Sequence, residues 1–114
     1  MSIIKSFKDA ANGIINTVST ERNLKIQFIA MICVISAGLI VELSNIEWII
    51  CIILFGIVIS AELFNTSIEK TLDYIDKDYS EEIRFIKDAS AGAVLTLAIA
   101  SAVIGLIIFI PKFI

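Results

Sequence analysis

Three long apolar segments dominate the chain and are separated by short polar stretches. They cover residues 26–41, 48–64 and 89–110 and consist almost entirely of aliphatic, aromatic and small side chains. A helix of about 20 such residues bonds all its backbone groups internally and crosses a hydrocarbon core of about 30 Å. The pattern predicts three transmembrane helices. The third helix is expected to begin near Ser80, a good N-cap, and its span to close at Pro111.

A fourth helix is predicted before the first apolar segment. Hydrophobic residues recur at helical spacing over residues 3–20, and the other side of this helix carries Lys5, Lys8, Asp9, Asn12 and Asn16. An amphipathic helix of this kind lies in the headgroup layer of a membrane. The same polar residues interrupt the apolar core that a signal peptide needs. We therefore predict a surface helix and not a cleaved leader.

Composition agrees with a single all-α integral membrane domain over residues 1–114. Hydrophobic residues fill 58% of the 114 positions, more than a soluble domain of this length would carry. The net charge of −3 argues against a nucleic-acid partner. The chain has no histidine, and Cys33 and Cys51 lie inside apolar runs, so zinc or redox chemistry is not expected.

The distribution of basic residues predicts the orientation. Lysine and arginine cluster before the first span and in the 65–88 segment, whereas the 42–47 connection has neither. Cytoplasmic loops of membrane proteins carry an excess of these two residues. We expect the N-terminus and the 65–88 segment to face the cytoplasm, with the chain in the cytoplasmic (inner) membrane.

The motif "ELFNTSIEKTLD" carries polar residues out of the second span. Glu62, Asn65, Glu69 and Asp73 fall at i, i+3, i+7 and i+11, so they share one helix face. A carboxylate at membrane depth costs about 2.5–3.5 kcal/mol on the insertion scale, and one that is kept there usually has a function. The alternative is that these charges only anchor a helix end in the headgroups, which explains Glu62 least well.

The groups at this boundary suit phosphoryl transfer. Carboxylate and amide oxygens without histidine or cysteine favour Mg²⁺, and Lys87 could hold a phosphate as a point charge. Glu62 could act as a general base. The chain contains neither a P-loop nor a kinase-type glycine loop, which excludes both of those nucleotide-binding folds.

Small residues in the third span predict self-association. They recur four positions apart, at Ala89/Ala93, Ala98/Ala102 and Ser101/Gly105. This spacing lets helix backbones approach closely in lipid. Because three helices cannot surround the Glu62 face on all sides, we expect a closed symmetric oligomer.

The chain resembles the small prokaryotic lipid-kinase family that includes diacylglycerol kinase and undecaprenol kinase. The likeness rests on "TERN", "ELFNTSIEKTLD" and "KDASAGAVL", in that order, and extends over about residues 4–112. "VELSNIEW" and "GLIIFIPK" are similar to the undecaprenol kinase branch of Gram-positive bacteria. The resemblance implies a homotrimer with active sites between subunits. In it, ATP with Mg²⁺ would phosphorylate the hydroxyl of a membrane lipid.

The resemblance also implies a role for each matching residue. Glu62 corresponds to the catalytic base and Asn65 to its supporting polar group, while Glu21 and Glu69 correspond to carboxylates that bind the metal and ATP. Nucleotide contacts are implied at Asp9, Asp78, Tyr79, Ser80, Lys87 and Asp88.

Three positions depart from the family pattern and bear on adenine recognition. Ser2 replaces a basic residue near the start of the surface helix, where Lys5 or Lys8 could substitute. Asp9 stands where relatives offer an aromatic or other residue, and Ser80 replaces a frequent histidine. The catalytic and metal-linked residues match.

The sequence favours a kinase that makes undecaprenyl phosphate from undecaprenol, and leaves three alternatives. A diacylglycerol kinase making phosphatidic acid is the nearest, since ordinary apolar span residues would hold either lipid. A channel or ion-carrier subunit would place Glu62 in a ring around a water-filled path. A passive membrane scaffold would tolerate loss of the Glu62 charge.

Overall fold

The protein is an all-α chain of three long helices and one shorter helix. The computed structural model describes residues 2–75 and 80–114, and in that part the chain forms α1 (Ile3–Thr20), α2 (Arg22–Val41), α3 (Asn45–Ile75) and α4 (Glu81–Phe113). Helices α2, α3 and α4 are each long and apolar enough to cross a bilayer. The predicted fold class is therefore confirmed.

Side-chain caps set where the helices begin. The Ser80 hydroxyl accepts a hydrogen bond from the Ile83 amide at 3.2 Å, so α4 begins where the sequence predicted. At the start of α3, the Ser44 amide donates to Glu47 Oε1 at 2.9 Å and the Ser44 hydroxyl accepts from the Glu47 amide at 3.2 Å. This reciprocal pair satisfies two amides that the first helical turn leaves without partners.

Helix α4 continues past the end of the predicted third span. It runs through Pro111 to Phe113, whereas the span itself is predicted to close at Pro111 and Lys112. A proline lacks one amide hydrogen and disfavours the helical conformation of the residue before it, but in the last turn few hydrogen bonds are at stake. Lys112 stays on the helix and its Nζ lies 3.0 Å from Glu47 Oε1. This ion pair fastens the end of α4 to the beginning of α3.

The α2–α3 turn is tight and depends on a glycine. Gly38 is buried, and a Cβ built there would lie 2.8 Å from Leu43 Cδ1 and 2.8 Å from Trp48 Cη2. The Leu43 amide donates to the Gly38 carbonyl at 3.1 Å, and Glu42 adopts the left-handed conformation with φ 57°. The turn therefore brings the chain directly over α2, where only a residue without a side chain fits.

We expect Gly38→Ala to destabilise the protein by about 1–2 kcal/mol. Overpacking a well-filled site costs roughly 1–3 kcal/mol, and the better helix propensity of alanine recovers up to about 1 kcal/mol. Thermal unfolding in detergent would measure the change as a lower Tm. Gly56→Ala is the matched control, because nothing lies within 4 Å of its built Cβ. Equal Tm values for the two variants would contradict the close packing at Gly38.

The single chain buries little of its apolar surface. Helix α3 packs most extensively on α4 and also contacts α2 and α1. The core cluster is small, comprising Leu43, Cys51 and Ile108 with partly buried neighbours. Ile29, Ile40 and Leu106 are 61%, 80% and 58% exposed. Such wide apolar exposure belongs to a chain that is surrounded by lipid or by other subunits.

Candidate active site

Two polar side chains are buried where α3 leaves its apolar stretch. Glu62 is 2% exposed and Asn65 is 7% exposed, although both belong to the most strongly polar residue types of the chain. Glu69 lies two turns beyond Glu62 and is half-buried. The Asn65 side-chain amide donates to Glu69 Oε1 at 3.4 Å. The periodicity of the motif thus predicts correctly which residues share a face.

Glu21 brings a third carboxylate to the same end of the molecule. It occupies the single-residue break between α1 and α2, with an extended backbone, and is half-buried. The Glu21 and Glu69 carboxylates both interact electrostatically with the Glu62 side chain. Glu21, Glu62 and Glu69 therefore lie at the same end of one chain, and their roles as base and metal ligands remain predictions. We call this part of the molecule the carboxylate end.

Three buried oxygens on one turn of α3 have no hydrogen-bond partner within the described part of the chain. They are Glu62 Oε2, Asn65 Oδ1 and Thr66 Oγ1. Leaving a buried polar group unpaired costs about 1–3 kcal/mol. Their clustering at one turn is what a site awaiting a polar ligand requires.

Thr66 is a buried polar residue beside Glu62 and Asn65 that the sequence analysis did not single out. It is 4% exposed and follows Glu62 by four residues, so it lies on the same face of α3. The spacing was visible in the sequence, but helical threonines commonly bond back to their own helix and therefore attract little notice.

Lys87 reaches across from α4 to α3. Its Nζ donates to Asp73 Oδ1 at 2.7 Å, and the Lys87 side chain is 21% exposed. Asp73 is the last acidic residue of the predicted α3 stripe. The pair places the Lys87 ammonium beside the last acidic residue of this row, and its role in phosphate binding remains a prediction.

The other predicted nucleotide contacts have different surroundings. Asp88 is exposed and lies 3.8 Å from Arg84 Nε on the same helix. Asp9 is exposed on α1, where its Oδ2 accepts a hydrogen bond from Lys5 Nζ at 3.2 Å. The Ser80 hydroxyl caps α4. Asp78 and Tyr79 lie outside the described residues. The roles of all the predicted site residues therefore remain predictions.

The donor set fits Mg²⁺. Over residues 2–75 and 80–114, no three acidic, cysteine or histidine side chains form one metal-holding group. Mg²⁺ in nucleotide-dependent enzymes typically takes one or two carboxylates, and water and phosphate oxygens complete its coordination. Glu21 and Glu69 are the two carboxylates that the sequence predicts for such a site, and this assignment remains a prediction.

Comparison with known proteins agrees with the geometry. A family model for prokaryotic diacylglycerol kinase matches residues 8–109. The undecaprenol kinase of Bacillus subtilis is 46% identical over 108 residues, covering 95% of this chain and 88% of that protein. The diacylglycerol kinase of Synechocystis sp. is 31% identical over 111 residues, covering 96% of this chain and 63% of that protein. By the extent of these matches, the chain belongs to the prokaryotic diacylglycerol kinase family.

Proposed function

We propose that this protein is a lipid kinase that transfers the γ-phosphoryl group of ATP to the hydroxyl of undecaprenol, with Mg²⁺ as cofactor. The buried Glu62 carboxylate carries the proposal, because its Oε2 has no partner in the described chain and two further carboxylates interact with it. The relative with 46% identity, named undecaprenol kinase, supports the choice of lipid.

Each residue of the carboxylate end has a part in the proposed reaction. Glu62 accepts the proton of the lipid hydroxyl as its oxygen attacks phosphorus. Glu21 and Glu69 would hold Mg²⁺, which when bound neutralises charge on the phosphate oxygens. Lys87 binds a phosphate oxygen and gives up its contact with Asp73 in exchange. Asn65 orients Glu69 through their hydrogen bond.

We further propose that the protein acts as a homotrimer in the cytoplasmic membrane. Lysine and arginine flank the carboxylate end and favour the cytoplasmic side for it. The wide apolar surface of the single chain offers contacts to other subunits as well as to lipid. The expectation that one chain cannot surround Glu62 is wrong, because Glu62 is 2% exposed within the single chain. Other subunits would therefore contribute to the active site outside the immediate surroundings of Glu62.

Transfer of radiolabel from ATP to lipid tests the function directly. The purified protein is assayed in parallel with undecaprenol and with diacylglycerol in the same detergent. We expect label in undecaprenyl phosphate at the higher kcat/KM. Diacylglycerol is the second candidate, favoured by the name of the Synechocystis relative, and its faster turnover would reverse the ranking. Ion flux into liposomes without use of ATP would instead support the channel alternative.

Glu69→Gln should raise the Mg²⁺ requirement. Glutamine keeps an oxygen that can accept the Asn65 hydrogen bond but loses the charge that a hard cation prefers. Mutation of a residue that only hydrogen-bonds to a metal ligand already weakens metal affinity by roughly 10–100-fold. For the loss of a ligand itself we therefore expect at least about a tenfold rise in the Mg²⁺ concentration that gives half-maximal activity. A magnesium titration of initial rates measures it. Glu81→Gln, in the exposed first turn of α4, is the control. An unchanged titration curve for Glu69→Gln would remove this residue from the metal site.

A further inference from the structure

Thr66 on α3 and Ser101 on α4 are the hydroxyl residues whose buried oxygen has no hydrogen-bond partner in the described part of the chain, and only Thr66 lies beside other unpaired polar atoms on the same helical turn. Six other hydroxyl residues bond back to the carbonyl four residues earlier at 2.7–2.9 Å: Thr17, Ser19, Ser36, Ser67, Thr71 and Thr96. The Thr66 hydroxyl makes no such bond, although the Glu62 carbonyl is in the equivalent position. It is buried and, within the described chain, leaves its oxygen without a partner.

The position of Thr66 determines which kind of ligand could form a hydrogen bond with its hydroxyl. Residues 62, 65 and 66 occupy one turn of α3, and each contributes a buried oxygen without a partner. Asn65 Oδ1 can accept hydrogen bonds but cannot donate them, and the same holds for Glu62 Oε2 when the glutamate is ionised. Thr66 alone of the three has an O–H to donate. A ligand that contains both a donor and an acceptor would therefore bond to Glu62 and Thr66 together.

We propose that Thr66 binds the acceptor hydroxyl of the lipid substrate, donating a hydrogen bond to its oxygen while Glu62 accepts its proton. This inference rests on the proposed function and adds a substrate-binding residue to it. The alcohol oxygen has one hydrogen and two lone pairs. Its hydrogen points to Glu62, one lone pair accepts from Thr66, and the second lone pair faces phosphorus.

Each proton and electron pair that moves in this step has a defined acceptor. The O–H bond of the alcohol breaks as Glu62 takes the proton. The lone pair forms the new O–P bond, and the bond from the γ-phosphorus to the bridging oxygen breaks with its electrons leaving on ADP. Thr66 keeps its own proton throughout and fixes the direction of the attacking lone pair. Because the three oxygens are enclosed in the single chain, neighbouring side chains must shift to admit the alcohol.

Two substitutions distinguish the effect of the Thr66 hydroxyl from the effect of the shape of its side chain. Thr66→Val keeps the branched side chain and removes the donor, whereas Thr66→Ser keeps the donor and removes a methyl group. Thr71→Val is the matched control on α3, since the Thr71 hydroxyl is exposed and bonds back to Ser67. Initial rates are measured with undecaprenol varied at saturating ATP, and with ATP varied at saturating undecaprenol.

We expect Thr66→Val to lower kcat/KM for undecaprenol by roughly threefold to tenfold, the effect of one neutral hydrogen bond, with an unchanged KM for ATP. Thr66→Ser should restore most of the loss, and Thr71→Val should match the parent protein. Equal kinetics of Thr66→Val and the parent protein would overturn the proposal, as would an effect confined to the KM for ATP.

Assembly provides a second check. The oligomer size of each variant is measured in detergent by light scattering. If Thr66→Val dissociates while Thr66→Ser stays assembled, the hydroxyl bonds to a neighbouring subunit and the proposal is wrong. Failure of the proposed function has a different signature, because the parent protein would then transfer no label to undecaprenol or diacylglycerol.

Discussion

Replacing Glu62 by glutamine should abolish most phosphoryl transfer while leaving the folded protein intact. Glutamine has nearly the same shape, so the packing around this buried side chain is kept, but an amide cannot take a proton from an alcohol. General base catalysis contributes typically about 10²–10⁴-fold, and we expect kcat to fall by that factor. Single-turnover transfer of radiolabel to lipid measures the loss without interference from product release.

The Glu62→Gln result needs a control for the change of charge. Glu82→Gln, in the exposed first turn of α4, removes the same charge outside the buried face. It should retain parental kcat. Tm and oligomer size of both variants should match those of the parent protein. A kcat within tenfold of the parental value for Glu62→Gln would show that another group takes the proton, and a silent substitution would favour the scaffold alternative.

Lys87→Met should reduce kcat/KM for ATP on the order of 10²-fold, the effect of losing one charged donor to a transferring phosphoryl group. Methionine keeps the long apolar stem and removes only the ammonium. Asp73 loses its partner but is largely exposed, with 62% of its side chain accessible, so water replaces the bond and stability changes little. Rates measured over a range of ATP concentrations give the effect.

Asp73→Asn tests whether activity requires a contact between the Lys87 ammonium and the nucleotide, or only the ion pair between Lys87 and Asp73. If the ammonium serves phosphate, this variant keeps the cation and should lose far less activity than Lys87→Met. Lys70→Met, on an exposed position of α3, controls for the loss of one positive charge near the site. Equal losses in the Asp73 and Lys87 variants would mean that the ion pair itself, and not a phosphate contact, matters for catalysis.

The helices and the shared polar face could be predicted because both follow from local periodicity. Apolar runs fixed the presence of α2, α3 and α4, and the Ser80 cap fixed the start of α4. The helices extend beyond the predicted spans, as in α3, which continues to Ile75. Hydropathy reports which residues suit hydrocarbon, whereas the backbone stays helical through the polar residues that follow. The resemblance to the lipid-kinase family is also confirmed, by the match over residues 8–109.

The features that could not be predicted depend on contacts between distant residues or on side-chain torsions. The Lys87–Asp73 bond joins α4 to α3, and no sequence spacing specifies it. Gly38 looked like an ordinary glycine of a span, and its need arises from where Trp48 packs after the turn. The unpaired state of Thr66 depends on a single torsion, since the same residue type bonds back to the helix at Thr71.

The ion pair between Glu47 and Lys112 has a consequence for how deep Glu62 lies in the membrane. Charged residues settle at the edge of a bilayer, so this pair fixes one end of α3 there. At about 1.5 Å per residue, Glu62 lies about 22 Å from Glu47 along the axis of α3. This distance is less than the thickness of about 30 Å of the hydrocarbon core. Glu62 therefore falls short of the opposite edge unless the bilayer thins around the protein. Lipids with longer acyl chains would bury Glu62 more deeply.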